Sequence, residues 1–186
     1  MNLRKANKDD IPYITNICRM SFGDSLKWFI KEEWSNKYWQ EVIEKANLCQ
    51  VDILEEDGVV GFILTVLNPR GFNDLKKKNK ITLDVMVLSF LEAPLFFSRL
   101  ILKRLFTKKI NLELFEKKHS STEEAECWIE LIAVSPEERG RKLGSLMLQH
   151  HINSFSGSFS STKLLVHSSN GGALELYKKF GFVRKK

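Results

Sequence analysis

The sequence predicts a single mixed α/β domain, and three observations carry that expectation. An apolar run, Trp128 to Val134, leads through Ser135-Pro136-Glu137-Glu138 into a glycine-bearing turn that opens directly into a helix. Earlier, Asn47 to Leu54 and Val59 to Leu67 read as two strands joined by Glu55-Glu56-Asp57-Gly58, where Asp-Gly suits the left-handed geometry of a hairpin turn. Near the start, Ile11, Ile14, Cys18 and Phe22 recur at near-helical spacing and mark one buried stripe.

Taken in order, residues 2–6 read as a short first strand. Asp9-Asp10-Ile11-Pro12 reads as a helix start, with acid in the cap region and proline in the first turn. A second helix is expected over residues 31–45, followed by the hairpin. Residues 69–124 then separate the third strand from the strand that enters the glycine turn, where a tight connection needs only a few residues, so this stretch reads as an insertion. Its centre, 81–110, is rich in Leu, Phe, Ile and Val but broken by Asp84, Glu92, Pro94, Arg99, Lys103 and Arg104. Those runs are too short for a membrane span of about 20 apolar residues. A helical lid over a substrate site, an oligomer surface such as that of a homodimer, and a basic amphipathic segment making peripheral membrane contact all remain open. His119-Ser-Ser-Thr-Glu-Glu124 reads as a polar loop returning to the core.

A chain of 186 residues fits one domain, 1–186, with a full core. Lys and Arg outnumber Asp and Glu by 29 to 23, a formal charge of +6. The basic clusters, Lys76, Lys77, Lys78 and Lys80, then Lys103, Arg104, Lys108 and Lys109, lack the interleaved aromatics and glycines of an RNA-binding strand. They read as a solvated face, with attraction for a phosphate-rich ligand, and no nucleic-acid partner is expected. Cys18, Cys49 and Cys127 match neither a disulfide framework nor a zinc site, and no metal is expected. The polar N-terminus lacks a secretion pattern, which makes the cytoplasm the expected compartment.

Chemistry concentrates in two segments. Helix starts leave N–H groups unpaired beside a positive dipole end, so the turn Arg139-Gly140-Arg141-Lys142-Leu143-Gly144-Ser145 can cradle a pyrophosphate. It is neither a Walker loop nor a dinucleotide fingerprint. Downstream, Asn170-Gly-Gly-Ala-Leu-Glu-Leu-Tyr-Lys-Lys-Phe-Gly-Phe182 repeats polar turn and helix, with Asn170 as N-cap and Ala173, Tyr177 and Phe180 on one core-directed face. Glu130 is the single acid within the 128–134 strand. It is either a base raised by desolvation or an outward residue paired with a lysine on a neighbouring element; Glu126 or water could stand in as base. Cys127 reads as a core cysteine rather than an acyl carrier, because no positioned base is identified among His150, His151 and His167. For the His150-His151 pair, late in a helix, the C-terminal dipole is explanation enough.

These two segments together resemble the GNAT superfamily, the acyl-CoA-dependent N-acyltransferases. Its Arg/Gln-x-x-Gly-x-Gly/Ala loop is matched from Arg139 to Gly144, with Lys142 standing where the first signature glycine belongs. Its second signature is matched by Asn170, Ala173, Tyr177 and Phe180-Gly181-Phe182. The resemblance covers roughly residues 126–182 and is weaker over 1–66. It implies a GNAT-like α/β (α+β) fold: a central mixed, mostly antiparallel sheet flanked by helices, with the long insertion between the third and fourth strands. It also implies acetyl-CoA as cosubstrate and a small-molecule or peptide amine as acceptor. The backbone of Ile132, Ala133 and Val134 would hold the pantetheine arm, with Asn170, Ala173 and Tyr177 beside it. Arg139, Gly140, Arg141, Lys142, Leu143, Gly144 and Ser145 would hold the pyrophosphate. Direct attack would use Glu130 as general base and Tyr177 as general acid. A non-catalytic CoA-binding module and a membrane-associated acetyltransferase of a lipid-linked amino sugar are the alternatives. Family members usually continue through one or two more strands beyond Phe182. Either the insertion replaces them, or the last strand is short, or the chain was cut.

Overall fold

The computed structural model describes residues 1–22, 32–78, 112–120 and 125–185. Strand β1 (Asn2–Lys5) leads through a short 3-10 turn into α1 (Ile11–Phe22), then α2 (Glu32–Glu44). The hairpin follows as β2 (Cys49–Glu55) and β3 (Val59–Val66), then α3 (Pro69–Lys78). Beyond it come β4 (Leu112–Lys118), β5 (Glu126–Val134), α4 (Leu143–Phe155), β6 (Ser161–His167), α5 (Gly171–Lys179) and the two-residue β7 (Val183–Arg184). The expected first two helices and first three strands are all present within a residue or two of their predicted ends.

The strands form a seven-stranded sheet in the order β1-β2-β3-β5-β6-β4-β7, in which only β5 and β6 run parallel. This is the mixed, mostly antiparallel sheet expected. Both ends of the insertion are ordered elements, which the sequence reading did not foresee. Pro69 opens α3 at the N-terminal position where a missing N–H costs nothing. Leu112–Lys118, which alternates apolar and charged only over its first three residues, slots between β6 and β7 as an antiparallel strand, with Phe115 opposite Leu164. The insertion therefore supplies a strand beside β6, and the last strand is short. The strand entering the glycine turn becomes fifth in chain order. The 81–110 stretch and the lysine clusters beyond Lys78 lie outside the described residues.

The sheet separates two apolar layers. On one face Ile14, Ile17 and Cys18 of α1 and Trp39 and Val42 of α2 pack on Val51, Phe62 and Leu64. Trp39 meets Phe62 edge-on at 5.3 Å, a favourable arrangement of ring quadrupoles. On the other face Leu143, Met147 and Leu148 of α4 and Tyr177 of α5 pack on Ile63, Ile129 and Leu164. Gly61 sits where β3 presses on β5, since a Cβ there would lie 2.9 Å from the Ala133 carbonyl oxygen.

His151 lies in the second layer and corrects the helix-dipole explanation. Its ring is fully buried, with Nδ1 2.9 Å from Thr65 Oγ1 and Nε2 3.1 Å from Thr162 Oγ1. Burial, then the neighbouring His119 and His150, pushes its pKa down to about 3. A neutral imidazole has no charge to offer the helix end; it serves as a hydrogen-bonding wedge between β3, β6 and α4. Because the folded pKa lies below the unfolded value, this contribution to stability is intact above pH 6.5 and is lost as the pH falls toward 3. About 2 kcal/mol should disappear between pH 6.5 and 5. Urea midpoints across that range should show the slope in the wild type, and His151→Gln should lack it.

Candidate active site

The site begins where the sheet opens. Parallel pairing of β5 with β6 covers only Glu126–Ile129 against Ser161–Leu164, and past that point the two strands have no mutual register. On its other side β5 stays paired to β3, with a shift that sets Leu64 against Leu131 and Thr65 against Ile129. Glu130 is therefore the bulged residue, and it is also the first residue beyond the fork. A bulge adds local twist and re-aims the side chain it carries. The diverging segments, Glu130–Ile132 and Leu164–His167, wall a cleft of about 800 Å³ that also touches Ser21, Phe22, Asn170, Ala173 and Tyr177.

A second cleft of about 910 Å³ continues from the open edge of β5 to the start of α4, lined by Ile132, Ala133, Val134, Arg139, Gly140, Lys142 to Ser145, Asn170, Ala173 and Tyr177. The N–H groups from Gly140 to Gly144 find no acceptor among the described residues, whereas Ser145 and Leu146 already donate to the Lys142 carbonyl. These free donors at the positive end of a 13-residue helix suit a diphosphate. Gly140 has φ +84, a left-handed value that favours glycine. Lys142, in the signature glycine's place, caps α4 at φ 61 and ψ 19, so the loop keeps a left-handed turn there despite the side chain. A Cβ at Gly144 would stand 3.4 Å from the Leu176 side chain on α5, an ordinary contact distance, so packing there leaves room for a small side chain.

That strain makes Lys142 a point of easy gain. A side chain in the left-handed region costs about 1–2 kcal/mol, and glycine returns part of that as extra freedom in the unfolded chain. Lys142→Gly should stabilise the fold by about 0.5–1 kcal/mol, read as a higher urea midpoint at unchanged slope.

The basic side chains of the loop divide. Arg141 is committed elsewhere, paired with Glu138 and with Glu56 at 2.8 Å, and is not among the residues that line the cleft. Arg139 donates to Ser21 Oγ at 3.2 Å, which itself donates to the Val134 carbonyl, tying the loop to the end of α1. Lys142 remains on the cleft wall. Leu143 turns its side chain into the core.

Tyr177 stands on both cleft walls, with its ring against Phe182 at 5.9 Å and its residue only 6% exposed. Among the described residues its hydroxyl has no hydrogen-bond partner. Burial pushes its pKa up to about 12, so it stays protonated. Asn170 caps α5, its Oδ1 accepting from the Ala173 N–H at 3.2 Å.

Glu130 is half-buried, and Lys76 Nζ of α3 lies 2.8 Å from its Oε1. The pairing with a lysine on a neighbouring element is present, and the same carboxylate lines the cleft. Glu126, the alternative base, is bound by Lys163 at 2.6 Å at the closed end of the strand pair. Cys127 is buried with its Sγ 3.3 Å from Thr162 Oγ1, and burial raises its pKa to about 11, which suits a core thiol. His167 lines the cleft, its ring bonded to Ser169 at 2.7 Å.

Sequence reasoning missed Ser21, Phe22, Lys76, His167 and Ser169 as cleft neighbours. The first two sit at the end of a stripe whose spacing reports burial alone, and Lys76 lay in a lysine run with no sign of which member turns inward.

Among the described residues no helix is long and apolar enough to cross a membrane, and no group of His, Cys, Asp and Glu could hold a metal ion. Residues 111–184 match the family model for the acetyltransferase (GNAT) domain. Comparison with curated proteins finds no match. Among solved structures, a possible acetyltransferase from Clostridium difficile 630 is similar at TM-score 0.60 and 12% identity, covering 100% of this chain and 91% of its own. The ribosomal-protein-S18-alanine N-acetyltransferase from Escherichia coli is similar at TM-score 0.54 and 17% identity, covering 100% and 79%. A histone acetyltransferase HPA2 and related acetyltransferase from Corynebacterium glutamicum ATCC 13032 is similar at 0.52 and 18%, covering 98% and 84%. At these identities the structural likeness speaks to the fold. Residues 111–184 are thus similar to an acetyltransferase (GNAT) domain, a match that runs from β4 through the glycine turn to β7, and the chain as a whole shares the fold of these structures.

Proposed function

We propose that the chain is an N-acetyltransferase that moves an acetyl group from acetyl-CoA to a primary amine by direct attack. The observation that carries this is the continuity of the fork with the cradle. N–H groups free among the described residues suit a diphosphate at one end, the edge of Ile132, Ala133 and Val134 left unpaired among the described residues suits an extended amide-bearing arm, and a protonated tyrosine waits where the arm would end.

In this mechanism the pyrophosphate lies against the Gly140–Gly144 amides, and Lys142 and Arg139 add positive charge beside it. The pantetheine arm pairs with β5 as an added strand, with Asn170 and Ala173 beside it. This brings the thioester to the fork, next to Glu130. The carboxylate takes a proton from the acceptor ammonium, directly or through water, and the neutral amine attacks the acyl carbon. An N–H of the splayed strand can receive the carbonyl oxygen as negative charge grows there. As the C–S bond breaks, Tyr177 donates a hydrogen bond to the sulfur. With the phenol near 12 and an ordinary thiol near 8.5, the proton stays with oxygen, and the thiolate leaves stabilised by that hydrogen bond.

The test is release of CoA thiol from acetyl-CoA in the presence of a panel of primary amines. Turnover with at least one amine is expected, and Glu130→Gln should lower kcat about tenfold while leaving CoA affinity unchanged, since the carboxylate meets the acceptor only. Hydrolysis alone, with no amine dependence, would sink the assignment.

A further inference from the structure

Lys76 stands out because its ammonium already sits where an acceptor's would. It is the one described amine of α3 that reaches a residue of the cleft wall: Nζ lies 2.8 Å from Glu130 Oε1 and 5.3 Å from the centre of the Phe72 ring beneath it. Its neighbour Lys77 points to solvent, three-quarters exposed and paired with Asp74 at 3.1 Å. Glu130 is the first residue past the fork, the place the mechanism assigns to the thioester. A general base must lie within hydrogen-bond reach of the proton it removes, and Lys76 meets that condition with no substrate present.

We propose that Lys76 is itself an acceptor, acetylated on Nζ by the chain's own active site. The inference rests on the acyl-CoA reading of the cleft. Glu130 takes one proton from the Lys76 ammonium, and the freed lone pair attacks the acyl carbon of a bound acetyl-CoA. The new C–N bond forms as the C–S bond breaks, and the sulfur departs as a thiolate that accepts a hydrogen bond from the Tyr177 hydroxyl. The amide nitrogen's remaining excess proton passes through water to that thiolate. The product is a neutral acetamide, which can no longer pair with the carboxylate, so one self-modification would vacate Glu130 for a second, external amine. Of the described lysine side chains of α3, one is thus reactive and one solvated, adjacent in sequence.

The experiment incubates the full chain with acetyl-CoA, maps acetyl groups on Lys76 and Lys77 by fragment-ion mass spectrometry over time, and records thermal unfolding with CoA on the same sample. Expected is labelling of Lys76 at least about tenfold faster than Lys77, at a rate independent of protein concentration, because a held amine reacts as an intramolecular one. Excess CoA should suppress Lys76 labelling and spare Lys77, and Tyr177→Phe should slow Lys76 alone. A CoA-induced stabilisation with equal labelling of the two lysines overturns the proposal and leaves the acyl-CoA reading standing. Equal labelling with no stabilisation overturns both.

Discussion

Replacing Tyr177 by phenylalanine is expected to lower kcat about 10²-fold with CoA binding nearly unchanged. The ring fills the second apolar layer against Phe182, and phenylalanine keeps that packing, so the fold should lose little. What disappears is one hydroxyl that burial keeps protonated and that has no other hydrogen-bond partner among the described residues. Such a donor acts when the sulfur gains charge, which happens in the transition state and not in the bound substrate. Its loss should therefore appear in kcat and not in the dissociation constant, at about 2.7 kcal/mol of barrier. The wild-type pH profile should also show no downward limb from phenol ionisation below about pH 11. Equal kcat for Tyr177→Phe and wild type would remove the hydroxyl from the mechanism and leave the ring as a packing element.

The second large effect is expected at the cradle. Ser145 is the third residue of α4, beside the free amides and on the cleft wall. Glutamate is favoured at that helical position, where its charge meets the positive end of the dipole, so Ser145→Glu should leave the unliganded fold as stable or slightly more so, by about 0.5 kcal/mol. The same charge would face a diphosphate. Like charges brought together in a partly enclosed site cost several kcal/mol, so the CoA dissociation constant should rise about 100-fold. Calorimetric titration with CoA, beside urea unfolding without ligand, separates the two. A general loss of fold would lower both; the cradle predicts that they move in opposite senses.

The parts of this protein legible in sequence are those where local chemistry decides structure. Asp57-Gly58 forces a turn, Asn170 caps the helix it precedes, and the Arg139–Ser145 turn opens α4, all of which appear as expected. What stayed hidden depends on long-range pairing. The alternation of Leu112–Lys118 is short and interrupted by Phe115-Glu116, both buried, so it did not announce a strand, still less one lodged between β6 and β7. The fork cannot be read from β5 or β6 alone, because it consists of where two distant strands stop pairing. Arg141 and Lys142 look alike in sequence. Only the approach of Glu56 from the β2–β3 turn takes the first out of the cleft and leaves the second in it. His151 read as a helix-dipole partner because spacing places it late in a helix and says nothing of the two threonines, one on β3 and one on β6, that close around it. For Glu130, the lysine pairing of one sequence reading is present, while the carboxylate lines the cleft and does not simply point outward as that reading had it.

The central claim, that fork and cradle together hold an acyl-CoA, is tested most directly by thermal unfolding of the wild-type chain with acetyl-CoA, with CoA and with ATP at equal concentration. A ligand of the folded state at 100 times its dissociation constant adds about 2.7 kcal/mol, and the account predicts that shift for both CoA compounds and not for ATP. No shift with millimolar acetyl-CoA, or an equal shift with ATP, would contradict it.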